Sequence, residues 1–295
     1  MSWWRRALAL LALLPALAGA GVLLIGKGKT SVAVPTPPSQ AVGSIDIDEG
    51  GLSSDTDPAM RVSRLNQNAI DVGDGEFTLE MFVRLAAEPG GNNDANTSTG
   101  ACYVNCATNG NLLADGDNYN GSGSGASWIV GFDQGVLYLG VRNAGGDRTV
   151  PGTSDNRTGS WRHIAVQFRA SDGLIEIFAN GAEEAEFDGP NGTVAFNSSS
   201  TADQDEFIYF GMEKLAAGGY GIDGEISEVR LSTVRRYTGT TYTVPTAPWT
   251  ADGDTVWLAH LDESSGTTVT DYSASAINGE LVGTPNPTRS TADPF

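Results

Sequence analysis

From Phe77 to Leu85 apolar residues occupy every odd position, with Thr78, Glu80 and Arg84 among the residues between them. Alternation at period two is the mark of a β-strand with one buried face. Phe82 interrupts the alternation and is expected to pack on the strand's second face. Short runs rich in apolar residues recur at 127–132, 136–141, 161–169, 174–179, 207–211, 225–231, 255–261 and 279–282. Turn signals stand between several of them: Asp133-Gln134-Gly135, Ser171-Asp172-Gly173 and Asn180-Gly181. Gly tolerates the positive φ that tight hairpins require, and Asn does so better than most residues. The stretch from Glu88 to Gly125 is rich in Asn, Asp, Gly and Ser without a sustained period and reads as elaborated loops. Nowhere in the body does a helical period persist. Many short strands with frequent turns predict an all-β fold, a two-sheet antiparallel jelly-roll sandwich.

The N-terminus has a different pattern. Arg5 and Arg6 precede an uncharged apolar run from Ala7 to Gly26, and Lys27 and Lys29 follow. Ala18-Gly19-Ala20 fits the cleavage site of an export signal. The run continues beyond it through Val22-Leu23-Leu24-Ile25 and is long enough to span a bilayer uncleaved, so both a signal peptide and a membrane anchor stand as readings. The expected order is a signal or anchor over 1–30, then a linker and acidic lead-in over 31–58 that includes Pro35, Pro37 and Pro38. The jelly-roll domain is expected over 59–283, with a tail over 284–295. Either N-terminal reading places the domain outside the cytoplasm, where contact with a membrane is expected only through an uncleaved anchor.

Charge narrows the partners. The net charge is −19, with only 17 Lys and Arg, and repels phosphate backbones, so nucleic acid is not an expected partner. Cys102 and Cys106 are the whole cysteine inventory. In an oxidising compartment a short-loop disulfide is their simplest use. A metal site lacks a second Cys or His pair at matching spacing, and a catalytic thiol lacks an evident activating environment. The sequence holds Asn-x-Ser/Thr sequons, Asn156 among them, which mainly reflect an Asn/Ser/Thr-rich surface.

Several segments resemble a known family. Gly75-Glu76-Phe77-Thr78-Leu79-Glu80-Met81-Phe82-Val83 resembles an early strand of laminin-G-like jelly rolls. Gly159-Ser160-Trp161-Arg162-His163-Ile164-Ala165-Val166 is similar to their Trp-His-Ala-Val strand, and Gly173 to Phe178 with Asn180-Gly181 to the hairpin after it. Gly224-Glu225-Ile226-Ser227-Glu228-Val229-Arg230-Leu231 resembles a later strand, with Ser227 where the family usually has Asp. The resemblance to the laminin-G-like and concanavalin-A-like lectin/glucanase family covers most of the chain, with these elements in the family's order. His260 to Ser273 with Asn278-Gly279 resembles a segment that often opens such domains and here closes one. First and last strands of a jelly roll can be neighbours, so this segment is expected to complete a single sandwich.

The same resemblance implies that Asp271 and Asn278 hold Ca²⁺ through side-chain oxygens; the residues alone equally allow Asp271 to fix a turn by bonding local N–H groups. Asp115-Gly116-Asp117 lacks the glycine and glutamate of an EF-hand and reads as a turn. His163 and His260 are expected to be framework residues. Related hydrolases need two carboxylates across the scissile bond. In Ser44-Ile45-Asp46-Ile47-Asp48-Glu49 a serine takes the nucleophile's place, and Glu225 and Glu228, three apart, face opposite sides of a regular strand. The reading therefore leans away from an enzyme. Trp128, Tyr138, Trp161 and Trp257 are expected in the core, and Tyr103, Tyr119 and Tyr220 at the surface of glycine-rich loops as ligand-stacking candidates. The expected function is recognition or adhesion without catalysis, binding glycan or extracellular protein, with calcium as the one possible cofactor. The alternatives are a glycoside hydrolase or polysaccharide lyase of the same fold, and a structural component of an envelope, appendage or particle.

Overall fold

The computed structural model describes residues 42–47, 58–63, 70, 72, 75–86, 111–115, 127–143, 145–194, 207–211 and 222–295. No helix among them is long and apolar enough to cross a membrane. The first half supplies β1 (Ser44–Ile47), β2 (Ala59–Ser63), β3 (Glu76–Leu85), β4 (Asn111–Asp115), β5 (Ser127–Asp133), β6 (Val136–Asn143) and β7 (Gly146–Asp155). Then come β8 (Arg162–Arg169), β9 (Leu174–Ala179), β10 (Ala182–Asp188), β11 (Phe207–Phe210) and β12 (Gly224–Ser232). The last are β13 (Thr255–Ala259), β14 (Thr268–Val269), β15 (Gly279–Val282) and β16 (Thr288–Ser290).

These strands form two antiparallel sheets. The first runs β10-β9-β8-β3-β12-β1-β16, with β13 also paired to β12; the second runs β14-β15-β2-β11-β4-β5-β6-β7. The period-two pattern of β3 sends Phe77, Leu79, Met81, Val83 and Leu85 into the core between the sheets, where Trp128, Phe132, Phe168, Phe210 and Trp257 join them. Phe210 stacks on Trp257 with centroids 5.3 Å apart, and Phe77 packs on Trp128 at 5.6 Å. Each such side chain contributes roughly 1.5–3 kcal/mol by leaving water. Hairpins form at the expected places, with positive φ at Gln134, Gly135, Gly173, Asn180 and Gly181.

The sheets reach beyond the expected 59–283 span. β1 lies in the acidic lead-in and pairs with both β12 and β16, and β16 comes from the expected tail. Ile45 and Ile47 bury one face of β1, but two apolar residues amid acidic ones are too short a pattern to read as a strand. At the other side β15 pairs with β2, so the 262–283 segment does complete the sandwich. A further departure is β4, a strand inside the stretch read as loops, with Asp115 as its last residue; Gly116 and Asp117 lie outside the described residues.

Candidate binding face

The first sheet presents its outer face to the chain's own segment 233–254. That segment leaves β12 and returns to β13, closed at its base by the Thr233 N–H donating to the Asp254 carbonyl at 2.9 Å. Thr78 donates to the Val234 carbonyl at 2.7 Å and accepts from the Arg236 N–H at 3.0 Å. Gln167 donates to and accepts from the backbone of Tyr237, at 3.0 and 2.8 Å. Glu80 and His163, which the alternation turns away from the core, are fully buried beneath this strap. Glu80 accepts from the Tyr237 hydroxyl at 2.5 Å, pairs with Arg230 at 2.6 Å and lies 3.3 Å from His163 Nε2, whose Nδ1 meets the Tyr242 hydroxyl. Burial pushes the Glu80 carboxyl up, but the His163 bond, the Arg230 charge and the Tyr237 bond outweigh it and hold its pKa below the usual value. Burial, and then the Glu80 charge, push the Tyr237 phenol far above its ordinary range, so it remains a donor. Phe82 packs on Trp249 at 5.8 Å on this second face, as its break in the pattern predicts. Trp161 joins this outer cluster, just before β8, rather than the central core expected of it.

Glu225 and Glu228 share one face, contrary to the regular-strand expectation. A bulge lies between Ser227 and Arg230, with Glu228 at φ 47°, so Ile226 and Val229 both point into the core and both glutamates point away from it. The pair is nevertheless committed. Glu225 lies 2.6 Å from Arg84. Glu228 is fully buried, 2.5 Å from His260 Nδ1, and accepts from the Trp249 N–H at 3.2 Å. His163 and His260 are both buried, each against a carboxylate.

Asp271 sits at the centre of a turn. One of its oxygens accepts from the N–H groups of Leu258 and Ser273, the other from the Ser273 hydroxyl and the Ile277 N–H, at 2.8–3.1 Å. The Asn278 side-chain oxygen accepts from the Asp271 N–H at 3.0 Å. A carboxylate has about four lone-pair sites; three N–H groups take three of them, and the Ser273 hydroxyl, which also lies 3.1 Å from the Val256 carbonyl, faces the fourth. Elsewhere Glu176, Glu183 and Glu186 converge within 4.8 Å, but Glu176 is bound by Arg235 and by Gln167. Asn156 is buried, its amide donating to the Gly135 and Ser154 carbonyls, so that sequon is not at the surface. Tyr103, Tyr119, Tyr220, Cys102 and Cys106, like the 1–30 segment, lie outside the described residues.

The second sheet's outer face carries an arrangement that the sequence reading did not single out. On β2, Met60 and Val62 enter the core, so Arg61 faces outward. The register sets Arg61 directly opposite Glu280 of β15 on one side and Tyr209 of β11 on the other. Arg61 Nε donates to Glu280 at 2.8 Å, its Nη1 reaches the Tyr209 hydroxyl at 3.5 Å, and its guanidinium lies 4.0 Å over the Phe207 ring. Partial burial works against the Arg61 charge, but the Tyr209 and Glu280 bonds raise its pKa overall. The side chains of Arg61 and Glu280 remain 28% and 47% exposed, so solvent reaches the ion pair. In the sequence, Phe207 and Tyr209 are hidden within four consecutive aromatic or aliphatic residues, where alternation cannot be seen.

The fold has known relatives. The chain covers 86% of its own length against 61% of a "putative carbohydrate binding protein" from Bacteroides ovatus, with 18% identity and a TM-score of 0.51. It thus spans somewhat less than two thirds of that protein. It is also similar to a heptameric SAP-like pentraxin from Limulus polyphemus (13% identity, 67% of this chain and 78% of that one, TM-score 0.42). Domains LG4-5 of the mouse laminin alpha1 chain align at 11% identity, over 68% of this chain and 45% of that one, with a TM-score of 0.43. No curated protein matches the chain. Residues 61–237, more than half of the chain, match a laminin G family. The chain belongs to the concanavalin A-like lectin/glucanases superfamily, in its laminin G form.

Proposed function

We propose that this chain is a non-catalytic recognition module, displayed outside the cytoplasm, that binds glycan through the outer face of the second sheet. The observation that carries the reading is the solvent-reached row of Glu280, Arg61 and Tyr209 with Phe207 beside it. Sugar rings present C–H faces and hydroxyl edges. An aromatic surface suits the first, and an ion pair offering donor and acceptor side by side suits the second. The carbohydrate-binding description of the Bacteroides ovatus relative agrees with this reading. Against catalysis stands the commitment of Glu225 and Glu228 to Arg84, His260 and the Trp249 backbone. Calcium, if the module uses it, would have to displace the donors that hold Asp271.

The test is a glycan array probed with the full chain, paired with reducing-sugar release on every glycan bound. Binding without release is expected, and Phe207→Ala should weaken it by roughly tenfold, as for loss of an aromatic stacking contact. Release of reducing ends that disappears on Glu225→Gln would overturn the non-catalytic reading. Absence of any glycan bound would favour a structural role.

A further inference from the structure

An open pocket of about 320 Å³ lies at one end of the sandwich, lined by Gly75, Glu76, Arg169, Ala170, Ser171, Gly192 and Thr193. It sits on elements separate from the Arg61 row: the start of β3, the β8–β9 hairpin and the 189–194 loop. We propose that this pocket receives the terminal ring of a neutral glycan. The proposal rests on the glycan reading above and adds a second, end-recognising site to it.

Three observations lead there. First, the walls are tied together. The Ala170 N–H donates to the Gly75 carbonyl at 2.9 Å and the Gly192 N–H to the Ala170 carbonyl at 2.8 Å. Buried Asn143 donates to both the Pro190 and Gly192 carbonyls at 2.9 Å, fixing the loop from behind. A pocket shaped before the ligand arrives loses less ordering entropy on binding.

Second, a largely apolar lining carries a few polar groups, the usual make-up of a ligand site. Glu76 and Arg169 are direct cross-strand partners, an acceptor and a donor side by side. Arg169 is held in place by Asp172 through two bonds, at 2.8 and 2.6 Å. Ser171 and Thr193 bring hydroxyls that both donate and accept. The buried Ala170 and the two glycines offer a C–H surface rather than an aromatic platform, which suits one ring entering end-on more than a chain lying across.

Third, size and charge restrict the ligand. At about 320 Å³ the cavity falls at the small end of ligand pockets, roughly 300–1,000 Å³, with room for a single ring and its hydroxyls. Among the lining residues Glu76 and Arg169 offset one another, and Asp172, bound to Arg169 just outside the lining, leaves the local charge negative on a chain of net charge −19. Carboxylated or sulfated termini would meet repulsion there.

Gly75 provides a selective test. A Cβ built on it meets no atom within 4 Å, and its φ is not in the left-handed region, so a larger side chain enters open space without strain. Gly75→Leu and Thr193→Trp, both at exposed lining positions, should add bulk at two separate points of the pocket's rim. The full chain is titrated with neutral oligosaccharides, and with the same oligosaccharides capped by sialic acid or sulfate. Expected is a preference for neutral termini, weakened roughly tenfold or more by either substitution with the melting temperature unchanged. If both variants bind like the parent while Phe207→Ala does not, the pocket proposal falls and glycan recognition stands. Preference for acidic termini overturns the ligand class. No glycan bound by the parent chain removes both readings.

Discussion

Replacing Glu80 by alanine should cost far more than an alternating strand position suggests. Its carboxylate is fully buried and accepts from Tyr237 while pairing with Arg230, whose own side chain is only 12% exposed. Truncation leaves a guanidinium under the strap without its counter-charge and a buried phenol without its acceptor. Removing one member of a buried ion pair costs about 3–5 kcal/mol. At about 2–4 °C per kcal/mol for a domain of this size, the melting temperature should fall by roughly 6–20 °C. Glu80→Gln, which keeps an acceptor for Tyr237, should lose less. Glu80→Leu combined with Arg230→Met should recover much of the loss, because replacing both partners by apolar groups removes the stranded charge. The assay is thermal unfolding by circular dichroism on the single and double variants at neutral pH. A Glu80→Ala protein melting within about 2 °C of the parent would refute the reasoning, because a buried pair broken from one side is strongly destabilised.

Further outcomes follow from the same geometry. Because the Glu80 pKa is depressed below the ordinary 4.5, its contribution is present above that pH and is lost as pH falls through the folded value. The acid limb of a stability–pH profile should therefore flatten in Glu80→Gln. Asp271→Ala strands buried donors and should cost on the order of 2–4 kcal/mol. A turn-fixing role makes that loss equal in millimolar Ca²⁺ and in EDTA; a parent melting point that moves with EDTA would assign Asp271 to a cation instead. Gly173 turns the β8–β9 hairpin at φ +74°, and a Cβ there would lie 2.3 Å from the Gly189 carbonyl oxygen. Gly173→Ala should accordingly destabilise by about 1–3 kcal/mol in denaturant titrations. Glu186→Gln relieves repulsion from Glu183, whose carboxyl is pushed up by burial and then by Glu186 and Glu176. It should raise stability by a few tenths of a kcal/mol, about the scale of exposed charge pairs.

What could be read in advance was whatever a local pattern encodes. Odd positions of β3 enter the core because a pleated strand alternates faces, and that depends only on neighbours in sequence. Asn180-Gly181 turns the chain because those residues tolerate positive φ wherever they occur. The same holds for the family's strand order and for the closing role of 262–283, whose motifs are contiguous.

What tertiary structure decided depends on residues far apart in the chain. Glu80 occupies a polar position of β3, yet it is buried, because a strap more than 150 residues later folds back over it. The side on which Glu228 lies was set by a bulge that emerges only when β12 is matched to β3. Arg61, Tyr209 and Glu280 come from three short strands scattered along the chain, and only the β15–β2–β11 register puts them in one row. Periodicity states which face a side chain takes; it does not state what will cover that face. Whether a polar residue meets water, a strap or a ligand is settled by long-range pairing, and the candidate binding face was therefore visible only in the folded molecule.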